Sequence, residues 1–512
     1  MNIKRAKEEI KDSIQAYLLR DAFGEYEIPT MGQRPVLLLG APGIGKTQIM
    51  EQIARECKIG LVSYTITHHT RQSAIGLPFI AERSYGGKKQ PVTEYTMSEI
   101  VASIYDKMEK TGLQEGILFI DEINCVSETL APAMLQFLQC KTFGSHAIPR
   151  GWIIVAAGNP PEYNKSVREF DVVTMDRVKK ILVEPDFSVW KEYAYGQRVH
   201  PAVLSYLNIR PKYFYQMEQT VDGKEFVTPR GWEDLSRILY VYEKLGKRAD
   251  REVVSQYLQH PRVAKDFANY LELYKKYHTD YEVEAIFQGK ISQGVLKKVA
   301  HAAFDERLSL VGLLLDRCAG ACKKAQEAEG CLALLLEQLK AYQRIMAEDL
   351  EETDRTESNR EPKPASVLGD VLAEVTNRWQ REREAELLSR EEDYALRRVQ
   401  ELLEQYVQRL KIENLSNRDQ AFARIRDWFG EERENYEKLC NQAGEALERS
   451  FDFLEVAFGV SQEMTVFLTE LNVSRDCVEF LQTWECERYY QYNRELLPGE
   501  SHKELLRRIE QL

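Results

Sequence analysis

The stretch PVLLLGAPGIGKT, from Pro35 to Thr47, constrains this chain more than any other. Val36, Leu37, Leu38 and Leu39 form a short unbroken apolar run, which suits a strand buried on both faces of a parallel sheet. After it, Gly40, Gly43 and Gly45 are expected to adopt positive φ and turn backbone N–H groups inward. The loop and the following helix N-terminus would then cradle anionic oxygens. Lys46 adds a point charge for the β and γ phosphates, and Thr47 offers a hydroxyl to Mg²⁺. Gly40, Ala41, Pro42, Gly43, Ile44, Gly45, Lys46 and Thr47 thus fill every fixed position of the pattern G-x-x-x-x-G-K-[ST], and a nucleotide with Mg²⁺ is the expected ligand.

A chain of 512 residues with 44% hydrophobic content can bury sizeable cores, and its length favours about three domains. The net charge of −12 argues against a chain-wide affinity for nucleic acid or an anionic membrane. Nine cysteines occur without a C-x-x-C pair. Cys318 and Cys322, spaced i, i+4, come nearest to metal-ligand spacing, but with no His or second pair beside them they read as free thiols of a reducing cytosol. The opening MNIKRAKEEIKDSIQAYLL reads as an amphipathic helix, since charges interrupt it as they do not in a signal peptide. No window approaches the ~18 apolar residues that span a bilayer, so a cytoplasmic protein is expected.

Along the chain, LVSYTI (Leu61 to Ile66), GILFIDEIN, GWIIVAAGN and KKILVEPD continue a series of β-α units that implies a five-stranded parallel sheet. The connection between the second and third strands is long and contains an expected hairpin turning at Gly86 and Gly87, then a helix from about Ser98 to Lys110. From Pro185 onward strand signals largely vanish. The reading is an α/β nucleotide-binding domain over 1–185, a helical lid over 186–275, a helical extension over 276–350, an exposed charged linker over 351–365 and a C-terminal helical domain over 366–512. In the last of these, Val367, Val371, Val375 and Trp379, then Leu396, Val399, Leu403, Tyr406 and Leu410, mark helix faces suited to a bundle or hairpin.

Adjacent carboxylates end the third strand and need different tasks. Asp121 can hold Mg²⁺ through water, and Glu122 can accept a proton from, or orient, an attacking water. Asn159 ends the next strand, where it can hydrogen-bond that water or the γ-phosphate; alternatively it only starts the turn before Pro160. His68 and His69 invite a metal reading, but neighbours at a strand end point to opposite faces and no third ligand is evident.

In this order GAPGIGKT, LFIDEIN, KTFGSHAIPRGW and GNPPEYNKSVREF resemble the AAA+ ATPases, and more closely the MoxR-like group, over about residues 30 to 250. The resemblance implies a P-loop NTPase core with an α-helical lid, followed here by an all-α C-terminal extension, and Mg²⁺-dependent hydrolysis of ATP. VVTMDRV is similar to the family segment that carries an arginine finger, which implies Arg177, with Arg168 competing for the role. TPR is similar to the lid's sensor 2 and implies Arg230. Departures are Cys125 where the family commonly has Arg, Gly158 for Gln, and Val178 for Phe.

The function this implies is a homo-oligomer, usually a hexameric ring, that remodels a protein partner in a chaperone-like way. That partner would carry a von Willebrand factor A domain; the D-x-S-x-S signature of such a domain is absent from this chain, so it would act in trans. The alternative is a DNA-acting motor or restriction-type translocase subunit, against which the acidic balance counts.

Overall fold

The computed structural model describes residues 1–68, 74, 76–143, 146–163, 170–220, 223–353, 363–415 and 417–496. They form two compact units. The first takes in residues 1–189, 228–230 and 380–389. Its strands in chain order are β1 (Val36–Gly40), β2 (Gly60–Thr65), β3 (Pro78–Tyr85), β4 (Lys88–Tyr95), β5 (Gly116–Asp121), β6 (Thr142–Phe143), β7 (His146–Ala147), β8 (Trp152–Gly158) and β9 (Lys179–Val183). Its helices are α1 (Ile3–Leu18), α2 (Lys46–Cys57), α3 (Glu99–Thr111), α4 (Ala131–Cys140) and α5 (Val172–Arg177).

The five apolar runs form one sheet in the order β2-β5-β8-β1-β9, and every pairing in it is parallel. A central strand of such a sheet has both faces covered, which is why β8 is buried along its whole length and β5 at all but Asp121. Helices supply the covering: Ile100, Val101 and Ile104 of α3 and Met134, Phe137 and Leu138 of α4 join Leu118, Ile120, Ile154 and Ala156 in one core. On α1, Ala6, Ile10 and Ile14 recur every four residues and are all buried, while Asn2 caps the helix by accepting the Arg5 N–H at 3.0 Å.

The expected insertion is the antiparallel hairpin β3–β4, turning at Gly86 and Gly87, both with positive φ as a two-residue hairpin turn requires. Ser98 caps α3 through the Val101 N–H. A shorter hairpin, β6–β7, follows α4 and is tied to it by the Phe137 and Phe143 rings, stacked with centroids 3.9 Å apart.

The second unit holds the described parts of 190–227, 231–379 and 390–512. It contains α6 (Phe187–Gly196, from Trp190 on), α7 (Pro201–Ile209), β10 (Gln216–Thr220), β11 (Gly223–Val227), α8 (Pro229–Lys244, from Gly231 on), α9 (Arg251–Tyr257), α10 (Pro261–Asp280), α11 (Val283–Phe287) and α12 (Gln293–Ala300). There follow α13 (Phe304–Thr353), α14 (Pro364–Glu384, up to Trp379), α15 (Arg390–Ile412), α16 (Arg418–Phe458), α17 (Gln462–Val473), α18 (Arg475–Thr483) and α19 (Glu487–Leu496). The 50-residue α13 packs along α16, α15, α18, α17 and α7. The boundaries expected at 275 and 350 therefore fall inside this unit, because one long helix shares its apolar faces with segments before and after them. Residues 354–362 of the expected linker lie outside the described residues. The apolar series beyond it are helix faces: Val367, Val371 and Val375 on α14, and Leu396, Val399, Leu403, Tyr406 and Leu410 on α15, are all buried.

The antiparallel hairpin β10–β11 departs from the all-helical reading of this region. Its strands are short and mostly polar, so they carry no apolar run to mark them in the sequence.

Candidate functional site

Strand register brings the chemistry together. Leu39 lies opposite Gly158, Gly40 opposite Val183, and Ile120 opposite Ala156. The carboxyl ends of β1, β5 and β8 therefore stand side by side, and the residues that follow or finish them, Gly40, Asp121 and Asn159, lie at one edge of the sheet. Ligands of open parallel sheets bind at that end.

The loop from Gly40 to Gly45 leads directly into α2. Gly43 and Gly45 have φ of 74° and 93°, as expected, but Gly40 does not have positive φ. Its role is steric: a Cβ there would stand 2.6 Å from the Val183 carbonyl oxygen of the adjacent strand. The loop runs straight into the first turn of α2, whose leading N–H groups have no intrahelical acceptor, an arrangement able to cradle an anion.

Lys46 is 9% exposed, and its ammonium donates to the Gly40 carbonyl (2.7 Å), the Ala41 carbonyl (2.8 Å) and Asn159 Oδ1 (2.9 Å). Burial holds its pKa down at about 8; Asp121 and Glu122 push it up and Arg230 pushes it down. A bound polyphosphate favours the charged form and so raises that value. Nucleotide affinity should consequently fall as pH rises through about 8, with proton uptake on binding above that pH. Calorimetry in buffers of different ionisation enthalpy measures the uptake directly, and an uptake that does not change from pH 7 to 9 would contradict it.

Thr47 donates its hydroxyl to Asp121 Oδ2 at 3.1 Å, and the other carboxylate oxygen of Asp121 accepts the Glu122 N–H at 2.9 Å. An oxygen-only pair of this kind suits a hard, six-coordinate cation such as Mg²⁺. Glu122 itself sits at φ 56°, ψ 34°, a left-handed conformation uncommon for a non-glycine residue, and the Cys125 N–H bonds back to its carbonyl at 2.8 Å. This turns the chain sharply at the strand tip and leaves the Glu122 side chain half-buried beside the cradle.

Asn159 is held from two sides. Its side-chain oxygen meets Lys46, and its backbone carbonyl accepts Asn124 Nδ2 at 2.8 Å. Asn124 went unnoticed in the sequence, where it is simply the last letter of DEIN; in space it is buried and links the turn after β5 to the tip of β8. It also explains Gly158, since a Cβ at that position would stand 2.5 Å from Asn124 Oδ1. Gly158→Ala should therefore displace Asn124 and destabilise the protein by about 1–3 kcal/mol. Urea midpoints with an unchanged m-value would read this, and an unchanged midpoint would contradict it.

Arg230 belongs to the first unit together with Thr228, and an added Cβ on Gly43 would meet Arg230 Cβ at 3.3 Å. Its charge reaches Lys46, as the pKa effect shows, so the site gathers Arg230 with the loop. Arg177 is elsewhere. It ends α5 two residues before β9, is exposed, and donates to Gln139 of α4. Lys179 lies opposite Val36, so Arg177 stands at the amino end of the strands, about 13 Å of strand from the loop at ~3.3 Å per residue. Arg168, His69 and the His68 side chain lie outside the described residues. Cys318 and Cys322 are buried, and Cys318 faces Ser450 Oγ at 3.2 Å.

A buried loop lysine, a Thr–Asp oxygen pair and a following glutamate at the carboxyl end of a parallel sheet define a P-loop nucleotide-binding core. Residues 36–174 match the model of the ATPase family associated with various cellular activities (AAA), so this segment is similar to an AAA ATPase domain; it supplies four of the five strands of the parallel sheet and is joined in the chain to a large helical region. No curated protein matches the chain. No described helix is long and apolar enough to cross a membrane.

Proposed function

We propose that the chain is a MoxR-like AAA+ ATPase that hydrolyses ATP with Mg²⁺, assembles into a ring of six subunits in keeping with the family resemblance, and uses turnover to remodel a protein partner. The observation that carries this reading is the joint placement of Lys46, Thr47, Asp121, Glu122 and Asn159 at adjacent strand tips. Thr47 and Asp121 would hold Mg²⁺, which neutralises phosphate charge when bound. Lys46 and the loop N–H groups bind and orient the triphosphate. The Glu122 carboxylate takes a proton from the attacking water, and Asn159, fixed by Asn124, positions that water or the γ-phosphate. Arg230 contributes positive charge from its place beside the loop. Arg177 serves the neighbouring subunit's site. The partner carries a von Willebrand factor A domain, by the family resemblance, and the chain acts in the cytoplasm.

The test combines phosphate release with the mass of the assembled particle. Mg²⁺-dependent release of phosphate from ATP, by a species of about six chain masses that forms with ATP, supports the reading. A monomer with full activity removes the ring. Binding to DNA that weakens steeply with salt, without capture of a protein partner by Glu122→Gln protein, would replace it with a nucleic-acid motor.

A further inference from the structure

In the second unit, the hairpin β10–β11 and the residue just before α10 bring Glu218, Glu225 and His260 together. Glu218 and Glu225 are direct partners across the ladder, so two carboxylates stand opposite each other on one face of a two-stranded sheet. Like charges so placed destabilise the pairing unless a positive charge joins them. His260 is 3% exposed, and neither ring nitrogen has a hydrogen-bond partner among the described residues. Its Nε2 lies 3.6 Å from Glu218 Oε2 and its Nδ1 lies 3.8 Å from Glu225 Oε2.

These separations exceed N–H···O hydrogen bonds. The Nε2–Glu218 separation suits an ion shared by that pair, since two ligands each about 2.0–2.1 Å from one tetrahedral Zn²⁺ stand ~3.4 Å apart; Glu225 lies nearer the other ring nitrogen and would reach the same ion from its place opposite Glu218. One ligand atom from each of the three residues falls within 4.8 Å of the others. Supporting contacts set the orientation. The Gln216 amide donates to Glu218 Oε1 and leaves Oε2 toward the ring, and the Phe226 N–H bonds to the Gln259 carbonyl at 3.0 Å, which fixes β11 beside the residue before His260. The Glu218 side chain is 51% exposed, giving an ion a route from solvent. An imidazole with two carboxylates selects transition ions over Mg²⁺ or Ca²⁺, which prefer oxygen alone, and leaves a fourth position for water.

We propose that Glu218, Glu225 and His260 bind a divalent transition-metal ion of the zinc class, clasping hairpin β10–β11 to the start of α10. The ion takes one nitrogen of His260 and one oxygen from each carboxylate. This site is separate from the nucleotide loop and does not depend on the ATPase reading. Full-length protein, stripped of metal by chelation and free of nucleotide, is titrated with Zn²⁺ by calorimetry and with Co²⁺ by visible absorption. One equivalent of Zn²⁺ should bind the parent, with affinity at least about tenfold weaker in both Glu218→Gln and His260→Gln, and four-coordinate Co²⁺ bands should appear only in the parent. If His260→Gln fails to fold, Glu218→Gln, altered at a half-exposed side chain, decides the matter. Zn²⁺ affinity unchanged by Glu218→Gln overturns the site. So does a parent that binds no Zn²⁺ while NMR shows His260 protonated between the carboxylates, which would make the cluster an imidazolium clasp.

Discussion

Glu122→Gln should bind ATP about as tightly as the parent and release phosphate about 10²–10⁴-fold more slowly, the usual contribution of a positioned general base. Glutamine keeps the length and planarity of the side chain, so the left-handed turn at φ 56° and the Asp121 bond to the residue 122 N–H are retained. What is lost is the ability to accept a proton. Thr47 keeps its bond to Asp121, and Lys46 keeps its place in the loop, which is why binding should survive. Nucleotide titration and phosphate release on the same preparation separate the two effects. Turnover at the parent's rate would remove Glu122 from the role.

Arg177→Ala is the second large effect expected. The side chain stands at the amino end of the sheet while the phosphate loop leaves its carboxyl end, so it is poorly placed to serve its own site. A guanidinium supplied by a neighbour to the γ-phosphate contributes about 10³–10⁵ in rate in other phosphoryl-transfer systems. The variant should bind ATP and hydrolyse it poorly, and mixing it with the inactive Lys46→Ala protein should restore part of the activity at interfaces that combine an intact loop with an intact arginine. If subunits exchange without recovery, and Arg177→Ala alone is as active as the parent, the finger assignment fails. Loss of activity in a variant that also unfolds earlier would instead point to its bond with Gln139 on α4.

The parallel sheet could be read directly because strands buried on both faces must be continuous apolar runs, and Val36 to Leu39, Ile117 to Ile120 and Ile153 to Ala157 are such runs. The loop could be read because positive φ at Gly43 and Gly45 leaves few residue types able to serve. What escaped depends on neighbours distant in sequence. Gly40 is required by the carbonyl of Val183, and Gly158 by the amide of Asn124, contacts that exist only after the strands are ordered. Hairpin β10–β11 has too little apolar patterning to declare itself. The helical half was recognisable as helices, but not its partition, since α13 gives no local sign that helices from both sides of it share its surface.

Lys46 has three N–H donors, and three acceptors already occupy them: the Gly40 and Ala41 carbonyls and the Asn159 side chain. An arriving phosphate oxygen cannot simply be added to this arrangement; it has to displace one of them. Carbonyls built into the loop backbone are costly to move, whereas the Asn159 amide can rotate away. In the proposed ATPase, filling the cradle would therefore be an exchange in which a phosphate oxygen takes the place of the Asn159 side chain on Lys46. Asn159 is tethered through its own carbonyl to Asn124, which follows Glu122 by two residues, so in the proposed ATPase a change at Asn159 would be felt in the turn that carries Glu122.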